Sequence, residues 1–132
     1  MNNIPKVINI KTDKKGYKNK LQSLTFNDIP LPKNIEINQQ YIIRFLPDAK
    51  GGNHKHKRTE VFISFDPLTL IWLDSNDKKH EIMMGLNSKG LIKVIIMYPE
   101  IPHVVINEGK TKATLIEFAS EDLINPEVVT IV

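Results

Sequence analysis

The chain has 132 residues, 41% of them apolar and 25% charged, which suits one domain with one buried core and is too short for two ordinary domains. It has no cysteine, so disulfides, thiolate zinc sites, iron–sulfur clusters and a cysteine nucleophile are excluded. The net charge of +3 comes mostly from lysine, with only Arg44 and Arg58 as arginines, and no aromatic-interleaved basic stripe points to nucleic acid.

No apolar run approaches the ~20 residues that span a bilayer, and residues 1–10 carry no hydrophobic signal core. The expectation is a soluble, cytoplasmic domain without a membrane or nucleic-acid partner.

In chain order, the first stretch is polar and rich in lysine (Lys11, Lys14, Lys15, Lys18, Lys20). β-branched and aromatic residues then dominate, in short apolar runs broken by Pro, Gly, Asn and Asp. The candidate strands are 7–10, 35–37, 41–46, 61–65, 68–73, 81–84, 91–97, 103–106, 113–118 and 128–132. Asp66-Pro67 presets a turn, and the run from Asp74 to Asp77 can form Asx turns. Ser120 could cap a short helix reaching Leu123. Many short strands at regular spacing predict an all-β sandwich or barrel. Residues 1–40 would supply N-terminal strands or a dimer arm, residues 41–118 the core barrel, and residues 119–132 a C-terminal segment. No linker divides them, so 1–132 is read as a single domain.

The chemistry concentrates in the stretch from Gly51 to Phe62. His54 and His56 are two residues apart, so on a strand both imidazoles share a face. Two neutral imidazoles so placed can bind one divalent metal. Lys57 to Thr59 are too polar for a core and read as a tight turn, after which Glu60 opens the next strand and returns toward the histidines. Far downstream, Pro99 and Pro102 hold the chain extended before His103, which starts an apolar strand. Three imidazoles and one carboxylate suit a divalent transition metal with one or two positions left for water or substrate.

With His-x-His, a Glu at this offset and Pro-x-x-Pro-His followed by Asn107, the sequence resembles the cupin superfamily of small jelly-roll barrels. The resemblance covers roughly residues 41–118. It implies His54, His56, Glu60 and His103 as ligands of one divalent metal (Zn, Fe, Ni or Mn), and a structural or near-site role for Asn107. The family's glycines are replaced: Asp48 and Pro67 stand at the ends of the first motif, and Ile92 and Glu100 at two glycine positions of the second. Tyr98 stands where the second motif has proline. These glycines are backbone devices, so their loss removes no ligand.

A narrower likeness runs through Leu24-Thr25-Phe26, Ile29-Pro30-Leu31-Pro32, the strand bearing Arg44, and Gly52-Asn53-His54-Lys55-His56-Lys57. It is similar to cupins of bacterial surface-sugar pathways, namely dTDP-sugar 3,4-ketoisomerases and the C-terminal cupin of capsule-synthesis reductases. That likeness implies a homodimer and a small-molecule substrate such as a nucleotide sugar. It implies an isomerase or epimerase, with a cupin dioxygenase or a non-catalytic metal-binding or small-ligand-binding module as alternatives. Metal-free sugar chemistry by the histidine pair is a further alternative.

Other residues have candidate roles. Arg44 shares a strand face with Ile42 and Leu46, and if inward could hold a phosphate or carboxylate; otherwise it forms a rim salt bridge. Tyr98 could transfer a proton or serve structurally. Trp72 reads as core, His80 as an exposed loop residue, and Met83, Met84 and Met97 as gap-filling core.

Overall fold

The computed structural model describes residues 3–12, 22–121 and 125–132. Among them, ten strands form two five-stranded antiparallel sheets. The first sheet has the order β1 (Lys6–Lys11), β7 (Leu91–Met97), β4 (Glu60–Ile63), β9 (Ala113–Ala119) and β2 (Gln39–Phe45). The second has the order β10 (Glu127–Val128), β3 (Lys50–Lys55), β8 (His103–Ile106), β5 (Thr69–Leu73) and β6 (Lys79–Met83). From β2 onward nearly every connection crosses from one sheet to the other, which is the winding of a jelly roll. The fold is thus all-β, as the strand spacing predicts. No helix among the described residues is long and apolar enough to cross a membrane.

The main core lies between the sheets, built on Phe45, Phe62, Leu68, Leu70, Trp72, Ile95, Met97 and Val105. The outer faces are covered as well. Leu24, Ile29, Leu31 and Ile37 pack on the outer residues Val61, Ile63, Val94, Ile96 and Phe118 of the first sheet. Val129 and Ile131 cover Ile71, Leu73, Val104 and Ile106 of the second. Strands buried on two faces need no alternation of polar and apolar residues, which is why 68–73 and 91–97 read as continuous apolar runs.

Several expectations change. Residues 35–37 form no strand; Ile37 packs on the first sheet as cover. Lys50–Lys55 is a strand despite its glycines, because its backbone pairs with β8. The C-terminal strand shrinks to Glu127–Val128, and the following residues act as cover. β1 pairs with β7 of its own chain. His80 lies on β6 rather than in a loop, stacked on Trp72 and bonded to Asp74. Met83 is exposed, whereas Met84 and Met97 are core.

The Asp74 Asx turn is present, its Oδ1 accepting from the N–H groups of Asn76 and Lys78 at 2.8 and 3.0 Å. Asp122 and Leu123 of the expected short helix, and Lys14, Lys15, Lys18 and Lys20, lie outside the described residues.

Candidate metal centre

His54, His56, Glu60 and His103 converge at one end of the barrel, and one potential ligand atom from each lies within 4.8 Å of the others. Each is placed by a local backbone device. On β3 a bulge between Gly52 and His54 shifts the register so that His54 faces His103. Gly52 has φ +125, and a Cβ there would sit 2.7 Å from the His103 carbonyl oxygen, so only glycine allows the two strands to approach. Asn53 takes φ 57 within the bulge, and its Oδ1 accepts from the N–H groups of Ile131 and Val132 at 3.1 and 3.2 Å. This ties the covering tail to the histidine strand.

His56 follows the end of β3, and Glu60 opens β4 after the expected turn. Lys57 is exposed in that turn, but Arg58 and Thr59 are buried rather than solvated.

The two glycine positions replaced by Asp48 and Glu100 both keep a left-handed backbone, at φ 67 and 68. The conformation survives the loss of glycine. Glu100 also donates its N–H to the His56 carbonyl at 2.8 Å, joining the second motif to the first. Asn107 is buried and structural: its Nδ2 donates to the carbonyls of Phe45 and Thr111 at 3.0 and 2.8 Å.

The electrostatics suit a cation. His103 Nδ1 lies 2.8 Å from the Ile101 carbonyl, which can only accept, so Nδ1 carries the hydrogen. Its Nε2 then faces Glu60 Oε1 at 3.0 Å, a contact that needs a proton or a metal cation between the two. His56 Nε2 lies 2.7 Å from the same oxygen, yet neither buried ring nitrogen of His56 has a hydrogen bond of acceptable geometry. A buried polar atom left without a partner is costly.

Burial, then the neighbouring His103 and His56, push His54 down to about 4, so it is neutral with a lone pair to offer at neutral pH. Burial opposes ionisation of Glu60, but its polar contacts with His103, His56 and Glu117 outweigh that and hold it well below the usual carboxylate range. Imidazole nitrogens and carboxylate oxygens bind such metals at about 2.0–2.2 Å, so two ligands across one ion lie up to about 4.4 Å apart. The cluster is only slightly wider, and the donor set fits a divalent transition metal.

Three further polar side chains line the same cavity of about 250 Å³: Tyr41, Arg58 and Glu117. Arg58 donates to Glu60 Oε2 from Nε at 3.0 Å and from Nη2 at 2.6 Å. Burial and the adjacent Glu60 carboxylate push Glu117 up to about 9, so it is a neutral acid at neutral pH. The remaining walls are apolar, with Ile43, Phe45, Phe62, Val105 and Leu115. A separate polar groove of about 390 Å³, between Lys55, Lys57, Glu121 and Glu127, reaches His56 and Arg58.

Two expected site residues are not brought here. Arg44 does share a face with Ile42 and Leu46, but that face points outward: Ile42 is 74% and Leu46 54% exposed, and Arg44 is exposed with them. The inward residues of β2 are Tyr41, Ile43 and Phe45. Tyr98 packs against apolar clusters on both faces of the first sheet and does not line the cavity.

Arg58 and Glu117 were missed, although each carried a signal. Arg58 lies two residues after His56 and two before Glu60, and Glu117 is a lone charge between Ile116 and Phe118 in an apolar run.

The sequence matches no family model and no curated protein. The structure is similar to several solved ones. The capsular polysaccharide assembling protein CapF from Staphylococcus aureus superposes with a TM-score of 0.64 at 17% identity, over 73% of this chain and 28% of that one. The chain thus spans little more than a quarter of that protein's length. A 3,4-ketoisomerase from Helicobacter canadensis gives 0.64 at 24% identity, over 92% of this chain and 86% of that one. The sugar 3,4-ketoisomerase QdtA from Thermoanaerobacterium thermosaccharolyticum, solved in complex with TDP, gives 0.59 at 24% identity, over 89% and 82%. The fold is therefore the one these structures share, a jelly roll of two antiparallel sheets.

Proposed function

We propose that this cupin is a metal-dependent enzyme of the isomerase or epimerase type, acting in the cytoplasm on a sugar or nucleotide sugar for polysaccharide synthesis. The observation that carries the reading is His56. Its Nδ1 is buried without a hydrogen bond, and its Nε2 faces Glu60 Oε1 at 2.7 Å in a cluster where His54, Glu60 and His103 each bring a ligand atom within 4.8 Å. The likeness to sugar 3,4-ketoisomerases and CapF supports the substrate class.

His54, His56, Glu60 and His103 would hold Zn, Fe, Ni or Mn, which supplies Lewis-acid polarisation of a carbonyl when bound. The chain supplies the rest. Glu117 carries a proton at neutral pH, and the Tyr41 hydroxyl accepts from Arg58 Nη1 at 3.1 Å, leaving its own hydrogen free for a ligand. These two take the proton-transfer role that the sequence suggested for Tyr98. The apolar walls keep bulk water from the reacting carbons.

The test is exchange of solvent deuterium into a 4-keto sugar nucleotide, read by NMR at the carbons beside the carbonyl. Exchange that depends on the metal and is lost in His54→Ala supports the reading. No exchange with any such substrate overturns it. Oxygen uptake would then favour a dioxygenase, and metal-dependent stability without turnover a binding module. Exchange that survives metal removal would favour metal-free chemistry by the histidine pair.

The chain is further proposed to work as a homodimer, which light scattering reads directly. Supporting this, β2 is an edge strand, with Ile42 exposed on it and Leu46 exposed just after it.

A further inference from the structure

We infer that Arg58 is a positioning residue that divides the Glu60 carboxylate, holding Oε2 so that Oε1 alone is offered to the metal centre. The inference rests on the metal reading above and adds a role that the ligand set does not contain.

Arg58 is only 5% exposed, and most of its donors are engaged. Nε and Nη2 both converge on Glu60 Oε2, at 3.0 and 2.6 Å. Nη1 donates to the Tyr41 hydroxyl and to the Glu121 carbonyl, both at 3.1 Å. The guanidinium carbon lies 5.2 Å from the Tyr41 ring centroid, and Nη2 is 3.8 Å from Glu117 Oε2.

The usual arginine–carboxylate pair is a fork in which two parallel bonds engage both oxygens. Such a fork would place a guanidinium hydrogen bond on each oxygen of Glu60, including the one that faces the histidines. A carboxylate without arginine could turn and chelate through both oxygens. Here both bonds fall on one oxygen. The other faces His56 Nε2 at 2.7 Å and His103 Nε2 at 3.0 Å. A one-oxygen ligand fixed in this way leaves more of the coordination sphere to substrate.

Lysine would keep the charge but not the planar donor geometry that grips Oε2, Tyr41 and Glu121 together. The conservative variant Arg58→Lys therefore separates positioning from charge.

The experiment titrates metal-free protein with Co(II), read by visible absorption and by chelator competition, for wild type and Arg58→Lys. Circular dichroism checks that the variant is folded. The expected result is affinity weaker by about 10–100-fold, the usual effect of removing an outer partner of a ligand, together with an altered cobalt spectrum. Equal affinity and an identical spectrum overturn the inference. Should the variant fail to fold, the wild type alone decides. Infrared difference spectra on Zn(II) loading report the Glu60 carboxylate stretches, assigned by their loss in Glu60→Gln. The wide splitting of one-oxygen ligation is expected, and the narrow splitting of a chelate overturns the inference. A wild type that takes up no cobalt overturns the metal reading itself, a different result from equal binding by both proteins.

Discussion

The mouth and the floor of this barrel are built on the same strand faces. On β4, Glu60 faces inward at the mouth, and Phe62 faces inward two residues deeper. On β8, His103 is followed at the same spacing by Val105; on β9, Glu117 is preceded by Leu115; on β2, Tyr41 is followed by Ile43 and Phe45. Every pair keeps one pleat parity, because side chains of a strand alternate with a period of two. One step along the pleat changes the wall that carries the proposed metal ligands into an apolar core.

The difference teaches where a barrel can carry chemistry. Near strand ends the backbone can bulge and turn, as at Asn53 and Glu100, and can aim several polar groups at one another. Deeper in the sheets the ladder is regular and little but packing remains.

The largest effect in this comparison is expected at the mouth. His54→Ala and His103→Ala each remove a ligand, so bound transition metal should fall from about one equivalent to none by elemental analysis. Retention of a full equivalent in both would break the distinction, because the mouth would then be only a polar continuation of the core.

The floor should answer in stability. Phe62→Ala opens a cavity among Phe45, Ile95 and Val105 and is expected to cost about 3–5 kcal/mol in denaturant unfolding.

The pH dependence of the metal-free protein sharpens the contrast. Native Glu117 keeps its proton up to about 9, while an unfolded glutamate releases it near its ordinary value of 4.5. The native state thus binds more protons across that window, and stability falls as pH rises through it. His54 acts in the opposite sense lower down. Its native form is neutral above about 4, while the unfolded form protonates below about 6.5, so stability falls as pH drops across that interval. Thermal melting should show Glu117→Gln losing the decline between about pH 7 and about pH 9 that wild type shows.

The smallest effect is backbone strain. Glu100 has φ 68, a conformation costing about 1–2 kcal/mol for a residue with a Cβ, partly offset by the greater entropy loss of glycine. Glu100→Gly should therefore raise stability by up to about 1 kcal/mol, read as a small increase in the denaturant midpoint.

Much of the site was legible because its signals are local. The spacing of His54, His56 and Glu60 fixes a strand, a turn and a return, whereas the approach to His103, expected to be extended, turns at Pro99-Glu100, where Glu100 has φ 68. Arg58 and Thr59 looked like turn surface because polarity near Lys57 and Lys55 suggests solvent. Arg58 is buried because Glu60, Tyr41 and the Glu121 carbonyl close around it, and Tyr41 and Glu121 come from distant parts of the chain. Residues 35–37 show the alternation of a strand, yet they join no sheet, and Ile37 covers one instead.

The sequence by itself determined the all-β class, the spacing of the three histidines and Glu60 that the structure brings together, and the shared parity of Arg44 with Ile42 and Leu46. These follow from neighbours two to four residues apart. Only the tertiary structure decided which parity of β2 faces the interior, placing Tyr41 rather than Arg44 at the cavity. It also put Glu117 beside Glu60 and Arg58, where burial and a neighbouring carboxylate keep it protonated. Parity is a property of one strand, but inside and outside are set by the opposing sheet and by the segments that cover the outer faces.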